Sequence, residues 1–176
     1  MTATLPWETR SGNALPQDER SWLKDVASYV PSGKLIVNIG VLLGASMYCL
    51  RAGAPKARLL GVDINLPPTD LHPSLCAEFI VADSRVCHVS VTVPIVLLFI
   101  DGDHHYAVIK EDIANWTPKI VPGGIVAFHD YAPLPRDLAK NPQLEGVRRA
   151  VNEWHEREHW IRLKAPDSLA AFRRPK

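Results

Sequence analysis

Residues 95–131 read IVLLFIDGDHHYAVIKEDIANWTPKIVPGGIVAFHDY. Six apolar residues in a row, Ile95 to Ile100, run straight into Asp101, Gly102, Asp103, His104 and His105, the pattern of a buried strand emptying into a polar loop. A second run, Ile125 to Phe128, empties into His129 and Asp130. Between them Ile109, Ile113, Trp116 and Ile120 fall at i, i+4, i+7 and i+11, one helix face with Pro118 near its end, and Pro122-Gly123-Gly124 turns the chain into the next strand. A strand, helix, strand unit closes by a right-handed crossover, so the strands run parallel and both polar tips share one sheet edge. That edge is where chemistry is expected.

Upstream, Lys34 to Ile39 is a β-branched run followed by Gly40 and Gly44, which open a helix reaching about Gly53. A Gly-rich strand-to-helix turn lets backbone approach a ligand and offers helix N–H groups to a carboxylate or phosphate. Its G-x-x-x-G spacing lacks the G-x-G-x-x-G pyrophosphate turn. Arg58 to Asp63 is a second strand ending on an acid, placed where a βαβ unit binds both hydroxyls of a ribose. Glu78 to Ala82 forms a third strand, ending at Asp83-Ser84. The connections from Asn65 to Leu75 and from Arg85 to Pro94 are shorter than usual helix-bearing crossovers. Leu23, Val26, Ala27 and Val30 mark a helix that begins at Gln17 and stops before Pro31, while Met1 to Pro16 read as a flexible or draped arm. After Asp130 come a Pro-rich loop long enough to act as a lid, a helix through Val147, Val151 and Trp154, and the strand pair WIRLK and LAAFR. The order of elements gives an α/β, Rossmann-like doubly wound sheet, with residues 17–176 as a single domain.

Twenty Lys and Arg stand against nineteen Asp and Glu, so no global field draws nucleic acid or an anionic membrane. The expected partner is a small molecule. Cys49, Cys76 and Cys87 form no CxxC pair and read as buried small apolar residues. With no basic and apolar leader and no membrane-length apolar run, the expected location is the cytoplasm.

Taken together, IGVLLGAS, GVDI, VADS, FIDGDHHY and PGGIVAFHDY, in this order and spacing, resemble the motifs of class I S-adenosylmethionine-dependent methyltransferases. The resemblance covers about Leu35 to Trp154 and is to the small-molecule branch with IDGDHxY and PGGxxxxHD motifs, related to sugar and antibiotic O-methyltransferases. It implies a seven-stranded sheet whose last two strands are a terminal antiparallel hairpin. It also implies that the Gly40 to Ser46 turn holds the methionine end of the cofactor, with Gly44 in that turn, that Asp63 binds the ribose, that Asp83 and Ser84 border the adenine, and that Ile64, Asp101 and Gly102 complete the cofactor set. Some relatives hold a divalent ion such as Mg²⁺ through the acid after the fourth strand, here Asp101, and through positions after the fifth, here His129 and Asp130. A His three residues beyond the first acid serves them as base, which in this chain is His104. Where the family often carries an acid before the first Gly, this chain has Asn38, which can accept a hydrogen bond but brings no charge to the cofactor's ammonium group.

Methyl transfer to a hydroxyl needs alignment and a destination for the proton. Adjacent strands lie about 4.8 Å apart, so carboxylates at neighbouring tips can share an ion at Mg–O distances of about 2.1 Å. Asp101 and Asp130 suit that role if their strands are neighbours; otherwise Asp101 binds loop N–H groups and Asp130 caps or salt-bridges. His104 is open between base, loop packing and a bond to the cofactor's carboxylate. His129 is open between ligating a metal, orienting Asp130 and packing, and Asp103 and His105 read as supports. The shortened crossovers leave the adenine wall to be exposed or completed by another subunit of a homo-oligomer. The expected function is O-methylation of a sugar, polyol or phenol-like hydroxyl. A non-catalytic adenosine-ligand module and an NAD-dependent oxidoreductase stand as alternatives, the latter opposed by the missing G-x-G-x-x-G.

Overall fold

The computed structural model describes residues 15–66 and 75–176. Seven strands form one sheet: β1 (Leu35–Ile39), β2 (Arg58–Asp63), β3 (Glu78–Val81), β4 (Ile95–Ile100), β5 (Ile120–Phe128), β6 (Ile161–Leu163) and β7 (Ala170–Arg173). Their order is β3-β2-β1-β4-β5-β7-β6. The first five pair in parallel, and β7 runs antiparallel to both β5 and β6, as the motif resemblance implied.

The described helices are α1 (Gln17–Ser28), α2 (Ala45–Gly53), α3 (Ser84–Cys87), α4 (Tyr106–Trp116), α5 (Pro135–Lys140) and α6 (Glu145–Glu158). Side chains on successive strand residues point to opposite faces, so Ile36, Leu97 and Phe99 meet the α1–α2 layer while Val37, Leu98 and Ile100 meet the α4–α6 layer. Leu23, Val26 and Ala27 of α1 fill the first core; Ile109, Ile113 and Trp116 of α4, with Val151 and Trp154 of α6, fill the second. Because both faces are covered, all of β1 is buried, and its sequence is a continuous apolar run interrupted only by Asn38.

Three local expectations change. The helix face assigned to Ile109, Ile113, Trp116 and Ile120 stops earlier: α4 ends at Trp116, Thr117–Lys119 tighten into a 3-10 turn, and Ile120 begins β5. Ile120 is still buried in the same core, so the spacing identified the right side but the wrong element. The Pro122-Gly123-Gly124 turn lies inside β5 as an irregularity. Ile95 faces Ile120 while Leu97 faces Ile125, so three extra residues bulge from β5. Gly123 and Gly124 then exchange backbone hydrogen bonds with Arg174 beyond β7. Finally, Cys49 and Cys87 are buried but Cys76 is exposed, standing at φ +47° in the turn before β3.

The connection after β3 is reduced to the four residues of α3 and a 3-10 turn at His88–Ser90. Residues 67–74 of the other short connection and 1–14 of the N-terminal arm lie outside the described residues. The Pro-rich loop after Asp130 contains α5 and a 3-10 turn at Pro142–Leu144. No described helix is long and apolar enough to cross a membrane.

Candidate functional site

The carboxyl ends of β1, β2, β4 and β5 all emerge at one edge, the consequence of parallel strands joined over the faces. The ladder continues one residue past β4 and β5: Asp101 N donates to Ile39 O at 2.8 Å and His129 N to Ile100 O at 3.0 Å. The backbones of Asp101 and His129 are thereby fixed by the sheet itself. A pocket of ≈ 850 Å³ opens over this edge, and Gly40, Asp63, Ser84, Asp101, His104 and Asp130 are among its lining residues.

The β1–α2 turn starts at Gly40, φ +83°, whose missing side chain lets the turn rest directly on the backbone of Asp101 and Gly102. Gly44 takes φ +85° as the N-cap of α2 and has no side chain to close the helix end. Asn38 is fully buried, and its Nδ2 donates to Gly40 O at 2.9 Å. It braces the turn from behind, while its Oδ1 has no aligned hydrogen-bond partner. Ser46, in the first turn of α2, is buried at the pocket wall.

Asp63 does more than end β2. Its Oδ2 accepts from Val41 N at 2.8 Å and Leu42 N at 3.0 Å, and its Oδ1 accepts from Asn65 N at 2.9 Å. The carboxylate therefore ties the two neighbouring loops together. Beside it Ile64 is 71% exposed in the pocket wall. Asp83 caps α3 by accepting from Arg85 N at 2.9 Å and pairs with the Arg85 guanidinium at 2.6 Å, which holds its carboxyl below the ordinary carboxylate value. Trp116 Nε1 donates to Ser84 O at 3.0 Å, anchoring that turn to α4.

Asp101, His104 and Asp130 meet at the tips of β4 and β5, each offering one ligand atom within 4.8 Å of the others. Their strands are neighbours, as the two-tip reading required. Asp130 stands at φ +52°, a left-handed conformation that Asp tolerates better than most residues. His104 Nε2 lies 2.9 Å from Asp130 Oδ2, yet the ring has no aligned hydrogen bond there. The Asp130 contact raises the His104 pKa above the usual imidazole value despite burial. Burial would raise Asp130, but His104 and His129 overcome it and hold the carboxyl well below the ordinary range. For Asp101 burial wins: its carboxyl stays above the ordinary value although His129 opposes the shift.

His129 sits between carboxylates on both sides. Its Nδ1 is 3.0 Å from Asp101 Oδ1 and 3.2 Å from Asp130 Oδ2, and its Nε2 is 3.0 Å from Glu19 Oε2. Burial opposes its charge, but the Asp101 carboxylate and the contacts to Asp101, Asp130 and Glu19 push the imidazole up to about 12. Both ring nitrogens are thus turned toward carboxylates. Asp103 accepts from His105 N at 2.7 Å and from His105 Nδ1 at 2.6 Å, closing the loop before α4. Glu19 was not singled out from the sequence. The available signal was a charged residue at i−4 from Leu23, on the stripe that buries α1.

A family profile described as "Methyltransferase domain" matches residues 37–131, from β1 through the tip of β5. Solved structures of similar fold include a putative caffeoyl-CoA O-methyltransferase from Staphylococcus aureus, with TM-score 0.73, 14% identity and coverage of 92% of this chain and 85% of that one. The O-methyltransferase TomG from Streptomyces achromogenes, involved in tomaymycin synthesis and solved with S-adenosylmethionine, gives 0.68 at 18% identity over 92% and 82%. The MycE methyltransferase of the mycinamycin biosynthetic pathway, solved with Mg and S-adenosylhomocysteine, gives 0.68 at 16% identity over 96% and 53%. At such identities the likeness shows the shared fold. Among curated proteins, the uncharacterized protein y4gI of Sinorhizobium fredii (strain NBRC 101917 / NGR234) is 50% identical over 34 residues, which span 19% of this chain and only 4% of that protein.

Proposed function

The chain is an S-adenosylmethionine-dependent member of the methyltransferase domain family, and from that premise we propose that it methylates a hydroxyl oxygen of a small molecule of the sugar, polyol or phenol class. One continuous pocket carries this reading: it joins the Gly40–Ser46 turn and Asp63 to the Asp101, His104 and Asp130 cluster. Its ≈ 850 Å³ is within the range of cofactor and substrate pockets.

S-adenosylmethionine supplies a methyl group on a sulfonium that is itself the good leaving group. The residues of the chain have binding, alignment and one proton to manage. The uncapped N-terminus of α2 offers N–H groups to the cofactor's carboxylate. Asp63 has about four acceptor positions, of which Val41, Leu42 and Asn65 use three, leaving capacity for a ribose hydroxyl. Ile64, Asp83 and Ser84 border the adenine, and Gly102 keeps the wall beside Asp101 low. Asn38, directed at Gly40 O, shapes the turn and brings no charge to the cofactor.

At the reacting end, His104 takes the acceptor's proton at Nε2 in its neutral form. The site also fits a divalent ion, because the Asp101 and Asp130 carboxylates converge beside two buried imidazole nitrogens, His104 Nε2 and His129 Nδ1, that lack an aligned hydrogen bond. Asp101 and Asp130 would hold such an ion, which lowers the pKa of a hydroxyl bound to it. His129, with both nitrogens turned to carboxylates, is assigned to ordering these two acids and not to ligating the ion.

Calorimetry with S-adenosylmethionine and S-adenosylhomocysteine tests the cofactor part, and failure of both to bind at sub-millimolar concentration overturns it. Methylated product, followed by mass spectrometry across a panel of sugars, polyols and phenols, tests the acceptor class. Turnover unchanged by a chelator and by added magnesium removes the metal and leaves methyl transfer standing.

A further inference from the structure

Glu19 is a carboxylate in the wrong place for a solvated helix face. It is 1% exposed, on the same stripe of α1 as Leu23, Val26 and Ala27, where an apolar residue would extend the core. Removing a carboxylate from water costs several kcal/mol unless its partners replace the lost hydration. The partners here are specific: Oε2 meets His129 Nε2 at 3.0 Å, and Oε1 accepts from the Ser168 hydroxyl in the β6–β7 connection. One side chain therefore joins α1, the tip of β5 and the terminal hairpin. Glu19 and Ser168 both lie outside the span 37–131 that matches the methyltransferase domain.

The contact matters because of what lies on the other side of the imidazole. An imidazole ring has two broad orientations about its outer torsion, related by a half turn. In the observed one Nδ1 faces Asp101 and Asp130, and the ring edge packs against buried Phe99 at 6.3 Å between centroids. The flipped ring would turn C–H groups toward those two acids. Phe99 holds the plane of the ring, and the acids near Nδ1 favour this flip without an aligned hydrogen bond to it, so the Glu19 acceptor at Nε2 is the aligned hydrogen bond that fixes the orientation.

We propose that Glu19, seated by Ser168, is a positioning residue of the methyl-transfer site: it selects the His129 orientation that draws Asp101 and Asp130 together. The inference rests on the methyl-transfer function proposed above. It makes the N-terminal helix and the terminal hairpin part of the active site, acting through His129 and touching neither cofactor nor acceptor.

Glu19→Gln isolates the effect. The amide oxygen can still face His129 Nε2 and the amide nitrogen can face Ser168 Oγ, so shape is retained while the charged acceptor is lost. In the full chain with saturating S-adenosylmethionine, kcat falls about 10- to 100-fold, the scale for partners that orient active-site ligands, while KM for the cofactor changes by less than about twofold. Histidine ¹⁵N spectra show the His129 Nε2 signal displaced in E19Q, and Ser168→Ala gives a smaller displacement and a smaller loss of kcat. Unchanged kcat in E19Q overturns the proposal, and so does a parallel loss of cofactor binding and melting temperature, which would mark Glu19 as structural only. If the wild-type chain transfers no methyl group to any acceptor, the function proposed above fails first. The ¹⁵N comparison then still decides whether Glu19 orients His129, and an unmoved signal refutes it.

Discussion

Replacing Gly40 by Ala tests whether the β1–α2 turn and the tip of β4 are one packed unit. At φ +83° an alanine pays about 1–2 kcal/mol for the left-handed conformation. Its Cβ would also stand 1.9 Å from Asp101 O, 2.4 Å from Asp101 C and 2.8 Å from Gly102 N. These are backbone atoms, so no side-chain rotation relieves the overlap, and overpacking adds about 1–3 kcal/mol. Gly123→Ala is the matched control, with φ +81° and nothing within 4 Å of its Cβ. For a chain of this size each kcal/mol lowers the melting temperature by about 2–4 °C. Thermal unfolding should then drop by roughly 2–8 °C in G123A and roughly 4–20 °C in G40A. Because relief of the overlap has to move Asp101, G40A also loses methyl transfer at temperatures where it remains folded. If G40A melted with G123A and kept normal turnover, the turn and the β4 tip would not be in the contact argued for.

Further outcomes follow from the same geometry. His104→Ala lowers kcat by about a hundred- to ten-thousandfold, the usual worth of a general base, with cofactor affinity by calorimetry nearly unchanged; equal loss of both contradicts the assignment. Since Asp130 raises His104 above the ordinary value of 6.5 and the base must be neutral, kcat climbs with pH through a midpoint above 6.5, and Asp130→Asn moves that midpoint down. Asp112, buried on α4, is pushed up from 3.8 to about 6 by burial, so the folded protein binds the extra proton between those values and loses stability as pH rises through that window. At 1.36 kcal/mol per pH unit the loss is about 3 kcal/mol above pH 6. Asp112→Asn removes it, so denaturant melts should show the variant gaining on wild type at pH 7.5 and losing that advantage near pH 4.

The sheet was legible because parallel strands covered on both faces must be continuous apolar runs. Leu35–Ile39 and Ile95–Ile100 run straight into Gly40 and Asp101, and Arg58–Asp63 ends on its own acid. Ile120 was not legible: a buried residue eleven positions along a helix face has the same spacing as the first residue of a strand entering the same core. Nor was the bulge at Pro122-Gly123-Gly124, since Pro and Gly mark a local break without saying whether a partner strand bridges it. Here Arg174 bridges it from the far end of the chain.

The sequence by itself determined which residues stand at the carboxyl edge of the sheet, because strand ends are set locally by apolar runs and the polar residues and glycines that follow them. Gly40, Gly44, Asp63, Asp101, His104 and Asp130 were all identifiable on that basis. Only the tertiary structure decided what each side chain holds. Asp63 binds the neighbouring turn's N–H groups, His104 and His129 share Asp130, and Glu19 reaches His129 across 110 residues of chain. Such partnerships depend on the approach of elements distant in sequence. Burial then decides their electrostatics: a carboxylate on an amphipathic helix is ordinary in water, but beneath a histidine at the tip of β5 it can set which way that ring faces.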